Sequence, residues 1–132
     1  MYNIVKAVKA LSDETRLRMI NLLAERECCV CEVVQAMQIS QTRASRNLMM
    51  LYDAGFLKLK KEGLWSLYSL DKQNLPEHLV KLVESVESAL AQNKIALSDK
   101  RRLQKAERVG PRCVDKSGDT SGDAAPLCSK SS

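Results

Sequence analysis

Ser40-Gln41-Thr42-Arg43-Ala44-Ser45-Arg46-Asn47-Leu48-Met49-Met50-Leu51-Tyr52-Asp53-Ala54-Gly55 is the stretch whose reading decides the fold. Ser40 suits an N-cap, since a hydroxyl there can accept from a free amide of the first turn. Leu48, Leu51 and Tyr52 fall on one side at helical spacing and are expected to face inward. Gly55 stands just past the end, where a left-handed residue stops a helix. A helix over 41–53 follows. Its first two turns carry amides, hydroxyls and guanidinium groups.

Working upstream, Gln38-Ile39 reads as a turn, preceded by a short helix over 32–37 with Val33, Val34 and Met37 on its apolar side. Glu27 to Val30 reads as an extended link. Before it, Leu17, Met19, Ile20, Leu22 and Leu23 carry a helix to about residue 24, with Ser12 as its expected cap and Asp13 and Glu14 at its positive end. Ile4, Val5, Val8 and Leu11 give a first helix over 3–11. Downstream, 56–61 and 64–70 are two strand-like runs around Glu62-Gly63, a hairpin signal. Asn74 is the expected cap of a long helix with Pro76 in its first turn and an apolar stripe at Leu79, Leu82, Val83, Val86, Ala89 and Leu90. The order is helix, helix, short helix, capped helix, hairpin, long helix. It predicts a mostly α chain with a small β-hairpin, a winged helix-turn-helix. The expected division is a domain over 1–97, a helical extension over 98–108, and a Gly-, Ser- and Asp-rich flexible tail over 109–132.

In that fold the capped helix enters the major groove of double-stranded DNA. The residue types suit this role, since Gln41 and Asn47 can read adenine, Arg43 and Arg46 guanine, and Ser40, Thr42 and Ser45 can hold phosphates. Lys58, Lys60 and Lys61 place positive charge on the wing, and from 40 to 61 only Asp53 opposes these five cations. The net charge of +5 agrees with a nucleic-acid partner. The opening residues lack a secretory signal, and no stretch approaches the length of a membrane span, so a cytoplasmic protein without membrane attachment is expected.

Cys28, Cys29 and Cys31 crowd into four positions some ten residues ahead of the reading helix; Cys113 and Cys128 complete the five cysteines of the 132-residue chain. In a reducing compartment such a cluster points to metal or redox chemistry rather than a disulfide framework, although buried cysteines also serve as small core residues. On a helix Cys29 and Cys31 would point about 200° apart. On a strand they share a face and Cys28 takes the other. No regular backbone presents all three sulfurs together, so the segment is expected to bend if one ion takes all three, pulling on the helix that follows. His78 is the only histidine, and a zinc site on its helix is rejected.

Leu11-Ser12-Asp13-Glu14-Thr15-Arg16-Leu17-Arg18, Ser40-Gln41 through Leu51 followed by Asp53-Ala54-Gly55, and Lys61-Glu62-Gly63-Leu64-Trp65-Ser66-Leu67-Tyr68-Ser69-Leu70 resemble signatures of the ArsR/SmtB family of metal-sensing repressors, over roughly 3–97. Cys29-Val30-Cys31-Glu32-Val33-Val34 is similar to the Cys-Val-Cys-Asp-Leu-Cys segment of its arsenic-responsive branch, with Val34 where the third thiol stands. The resemblance implies a homodimer, paired through its first and last helices, that leaves operator DNA when an inducer binds. It implies a regulator and not an enzyme, with no organic cofactor. Cys28 is the expected substitute for the third thiol, and Cys113 or Cys128 a possible extra ligand. Three thiolates suit As(III) or Sb(III), giving an arsenite- or antimonite-responsive repressor. The alternatives are cadmium or lead sensing, or a thiol redox switch on the same fold.

Overall fold

The structure is a computed structural model, and it describes residues 1–109. The proposed tail from 110 onward, with Cys113 and Cys128, lies outside the described residues. The chain runs α1 (Tyr2–Ala10), α2 (Glu14–Leu23), β1 (Cys28–Cys29), α3 (Val30–Met37), α4 (Gln41–Asp53), β2 (Lys58–Glu62), β3 (Trp65–Ser69), α5 (Glu77–Leu90) and α6 (Lys94–Lys105). It is a mostly helical winged helix-turn-helix.

Several helix ends differ from expectation for local reasons. Asp13, not Ser12, caps α2: its carboxylate accepts from the Arg16 amide at 3.1 Å, while the Ser12 hydroxyl donates back to Lys9 O. Both oxygens are competent caps, and Asp13 has the extended backbone of an N-cap, at φ −148 and ψ 133. Pro76 stands at the N-cap of α5 in place of Asn74, whose amide donates to Asp71 instead. The cap of α4 is as expected, with Ser40 Oγ accepting from the Arg43 amide at 3.1 Å. Gln38, at φ +57, makes the left-handed turn between α3 and α4, and Gly55, at φ +94, turns the chain out after α4.

The core is aliphatic. α2 lies against α4, α5 and α6, and buries Met19, Ile20, Leu22 and Leu23. Leu48 and Leu51 of α4 and Phe56 are fully enclosed, whereas Tyr52 is 40% exposed and does not face inward. On α5, Leu79, Val83 and Val86 are buried within the same chain. Much of the stripe expected to await a partner is therefore already covered by the domain itself. Tyr2, Val5 and Val8 on α1 remain exposed.

α6 departs furthest from the sequence reading. It begins at Lys94, capped by Asn93 Oδ1 on the Ala96 amide at 3.0 Å, so the expected boundary after residue 97 falls inside a helix. Ala96, Asp99 and Leu103 are buried at helical spacing, and the helix packs on α3 and α2.

The sheet has three antiparallel strands in the order β1-β3-β2. The hairpin was expected; the third strand was not. Cys28 pairs with Tyr68 and Cys29 with Leu67, so the cysteine segment is itself a strand of the wing sheet. Gly63, at φ +62, supplies the left-handed residue of the tight loop between Glu62 and Trp65. Among the described residues, no helix is long and apolar enough to cross a membrane.

Candidate nucleic-acid interface and thiol site

The polar start of α4 divides into outward and inward groups. Ser40, Thr42, Arg43 and Arg46 are exposed, and Gln41 and Ser45 are half-buried, with Gln41 Nε2 donating to Ser45 Oγ at 2.9 Å. Arg43 Nη2 donates to Thr15 Oγ1 at 2.8 Å, which holds its stem along α2. Asn47, expected among the base-reading residues, is buried: its Oδ1 accepts from Arg16 Nη1 at 2.8 Å and its Nδ2 donates to Arg43 O at 2.9 Å. Both ends of its amide are occupied, so Asn47 orients the helix rather than presenting an edge. The reason is register: Asn47 follows Ala44 by three residues on the inward face, beside Leu48.

Arg16 is the hub that the sequence reading passed over. Its Nε donates to Ala10 O at 2.6 Å while Nη1 reaches Asn47, tying α1, α2 and α4 together from one half-buried guanidinium. On the wing, Lys58, Lys60 and Lys61 are all exposed on β2. Lys58 Nζ lies 3.1 Å from Asp71, Lys60 Nζ 3.3 Å from Glu62, and Lys61 Nζ donates to Ser66 Oγ at 2.9 Å. Exposed pairs of this kind are weak, so the ammonium groups stay available to a phosphate. Asp71 is held below its ordinary range by the hydrogen bond from Asn74 and then that from Lys58.

The three clustered cysteines are not brought together. Cys28 points into the main core, fully buried, its Sγ 3.5 Å from Arg26 O. Burial pushes its thiol up to about 12, with Arg26 pulling in the opposite sense. Cys29 and Cys31 face the other side and form a disulfide, with Cα atoms 5.4 Å apart, in a second small cluster with Leu67, Val30, Trp65 and Val109. The structure thus places Cys28 apart from the Cys29–Cys31 pair. The pair converges because the backbone changes type between its members. Cys29 is the extended N-cap of α3 at φ −82, ψ 169, and Cys31 lies in the first turn of the helix. The backbone bends at this strand-to-helix junction. Among the described residues no group of three or more His, Cys, Asp or Glu side chains is placed to hold a metal ion. Two soft sulfur ligands and a backbone junction fit part of a thiolate site, and one further ligand would complete a three-coordinate one.

Glu32, also unforeseen, organises this junction. Its buried Oε1 accepts from the Cys29 amide at 2.9 Å and from Arg108 Nη2 at 3.1 Å, and its Oε2 accepts from Arg26 Nη1 at 2.8 Å. After α6 the chain turns back over the pair. Gln35 Nε2 donates to Glu107 O at 2.6 Å and the Glu107 amide donates to Gln35 Oε1 at 3.0 Å. Arg108 lies over the Trp65 ring at 5.9 Å, the Trp65 indole donates to Val109 O, and that oxygen is 3.8 Å from Cys31 Sγ. A capping-box spacing at Cys29 and Glu32 was the one available signal for Glu32; nothing local marked Arg108 or Val109. His78 is an exposed surface residue of α5.

Residues 13–64 match the family described as "Bacterial regulatory protein, arsR family". Over 83 residues the chain is 41% identical to a cadmium resistance transcriptional regulatory protein CadC homolog of Staphylococcus aureus, covering 62% of this chain and 65% of that protein. It is therefore matched over a little under two thirds of that relative's length. It is 37% identical to the arsenical resistance operon repressor of Escherichia coli, covering 61% of this chain and 68% of the repressor. Among solved structures, the homodimeric winged helix-turn-helix domain of Mb0332 from Mycobacterium bovis, a possible ArsR-family transcriptional regulator, aligns with a TM-score of 0.57 at 26% identity, covering 70% of this chain and 82% of that one. The matched segment holds α2, α3, α4 and the wing turn, the elements that carry both the exposed polar face and the thiol pair. The chain belongs to the arsR family of bacterial regulatory proteins, a family of regulators rather than enzymes.

Proposed function

We propose that this chain is an operator-binding transcriptional repressor, acting as a homodimer, that leaves DNA when As(III) or Sb(III) binds through Cys29 and Cys31. Ser40, Gln41, Thr42, Arg43, Ser45 and Arg46 would meet the major groove and Lys58, Lys60 and Lys61 the flanking phosphates. The observation that carries this reading is one row across the sheet: Cys29 pairs with Leu67, and Leu67 with Lys60. The thiol segment is hydrogen-bonded into the wing sheet and also starts α3, which packs on α4. Any ion that moves Cys29 therefore moves both DNA-facing parts. A coupling of about 1–3 kcal/mol would lower affinity roughly 5- to 150-fold. The exposed Tyr2, Val5 and Val8 on α1 offer the apolar area that a partner subunit would cover.

The relatives named for arsenic and for cadmium give two inducers to compare. The test is fluorescence anisotropy of the reduced protein on DNA from upstream of its own gene, titrated with arsenite, antimonite, cadmium and lead. Release by arsenite or antimonite, lost in Cys29→Ser/Cys31→Ser, supports the reading; retention of DNA at saturating arsenite refutes it.

The Cys29–Cys31 bond favours a second reading, a redox switch. Hydrogen peroxide would take two electrons and two protons from the thiols, leaving the disulfide and two waters. In that case peroxide alone releases DNA, a reducing thiol restores binding, and arsenite has no effect on the reduced protein.

A further inference from the structure

α6 spends only part of its positive charge inside the domain. Of its five cations, Arg102 turns inward to Asp99 and the Ala36 carbonyl, and Lys100 leans toward Glu25 at 3.8 Å. Lys94, Arg101 and Lys105 are exposed. With Ser98 they recur at i, i+4, i+7 and i+11, the spacing of one helix face. Arg101 Nη2 donates to Ser98 Oγ at 3.0 Å. The one acid within α6, Asp99, is buried on the inward side. Among the described residues none of the three exposed cations pairs with a carboxylate. Lys94 stands in the first turn, where a cation opposes the helix dipole, so helix stability does not account for it.

The inward side of the helix fixes where this stripe lies. Arg102 Nε donates to Ala36 O, and Arg18, clamped by Asp99, donates to Met37 O. Further along the chain, Glu107 meets Gln35 and Arg108 meets Glu32. α6 therefore runs antiparallel to α3, with its first half at the C-terminal end of α3. Only Gln38 and Ile39 separate that end from Ser40, the cap of α4. Resting on the operator-binding reading above, we infer that Lys94, Arg101 and Lys105 form a third DNA-contacting surface, which grips phosphates flanking the segment covered by α4 and the wing. From residue 94 to 105 the stripe is about 16 Å long at the rise of an α-helix. Each strand of B-DNA offers a phosphate about every 3.4 Å of axis, so the three cations can each meet one. Contacts of this kind add affinity and salt dependence without choosing a sequence.

The experiment uses the full, reduced chain and duplex DNA from upstream of its own gene. Wild type is compared with the triple variant Lys94→Gln/Arg101→Gln/Lys105→Gln and with the charge-preserving Lys94→Arg/Arg101→Lys/Lys105→Arg. Hydroxyl-radical footprints should show protection at both outer flanks for wild type and its loss there, with the centre still protected, in the glutamine variant. The slope of log affinity against log salt should fall by about 2–3 per subunit in the glutamine variant and stay at the wild-type value in the charge-preserving one. On a duplex trimmed to the segment that the glutamine variant protects, wild type should lose about tenfold or more in affinity, and the glutamine variant should lose nothing. Identical footprints and slopes for wild type and the glutamine variant overturn the assignment while leaving the operator-binding reading intact. So does an equal loss in the charge-preserving variant, since a phosphate asks only for charge, or a loss that depends on operator sequence. Failure of wild type to bind its upstream DNA defeats both readings.

Discussion

Asp99 of α6 accepts from Arg18 of α2 through two parallel hydrogen bonds, Nε to Oδ2 at 2.8 Å and Nη2 to Oδ1 at 2.9 Å. Arg102 adds a third contact to Oδ1 at 3.0 Å, and the carboxylate is fully buried. The two guanidinium groups also donate to the last carbonyls of α3, Arg18 to Met37 O and Arg102 to Ala36 O. Asp99 raises the Arg18 guanidinium above its already high ordinary value, mainly through the hydrogen bond. Removing one partner of such a pair strands the other charge. Asp99→Ala is expected to lower unfolding free energy by about 3–5 kcal/mol, seen as a drop in urea midpoint. A loss below about 1 kcal/mol would mean that α6 is not held to the domain by this pair.

On α4, neighbouring residues should separate reading from scaffolding. Arg46→Ala removes an exposed side chain and should leave stability within about 0.5 kcal/mol. It should also weaken operator binding by about 1–3 kcal/mol. Asn47→Ala strips both the Arg16 and the Arg43 bonds from the buried face. It should cost about 1–3 kcal/mol of stability. Paired thermal melts and anisotropy titrations decide this; a stable Asn47→Ala variant with selectively lost binding would return Asn47 to the DNA surface.

The contrast between Arg46 and Asn47 shows what the sequence could carry. Apolar spacing placed α1 through α5, and the two runs around Glu62-Gly63 placed the hairpin, although Val5 and Val8 of the α1 stripe are exposed and β2 buries no residue. Spacing could not say which polar residue of α4 turns inward, since that depends on Arg16, thirty-one positions away. β1 escaped because a two-residue strand has no period to read, and its existence depends on β3. α6 was shifted because its start is set by Asn93, whose side chain caps the Ala96 amide ahead of the expected extension. The Cys29–Cys31 pair was legible as chemistry but not as geometry: neither a pure strand nor a pure helix describes a site lying on the junction of the two.

The wing lysines make a prediction about salt. Among the described residues Lys60 Nζ has only the weak Glu62 partner, and the residue stands in the row that leads to Cys29. A phosphate contact there releases a counterion, so Lys60→Ala should reduce the slope of log affinity against log salt by about 1 per subunit, uniformly across operator variants. An unchanged slope between 50 and 300 mM salt, taken as roughly the usable range, would remove Lys60 from the interface.

Cys28 should behave as a core residue and not as a ligand. Its thiol is pushed up to about 12 in the folded chain, chiefly by burial, against about 8.5–9 for an exposed thiol. Above the exposed value the unfolded chain loses this proton while the folded chain keeps it. The stability tied to the neutral thiol is therefore complete below about pH 8.5 and falls as pH rises towards 12, by at most about 1.4 kcal/mol per unit. In the phosphine-reduced protein, Cys28→Ala should cost about 1–2 kcal/mol at pH 7.5 through the void it leaves, and the gap between mutant and wild type should narrow as pH is raised from 8.5 to 10.5. Arsenite-driven release from DNA should survive in the same variant. Urea midpoints at the two pH values, with one anisotropy titration, test both claims, and a Cys28→Ala protein that no longer responds to arsenite would place this thiol in the site after all.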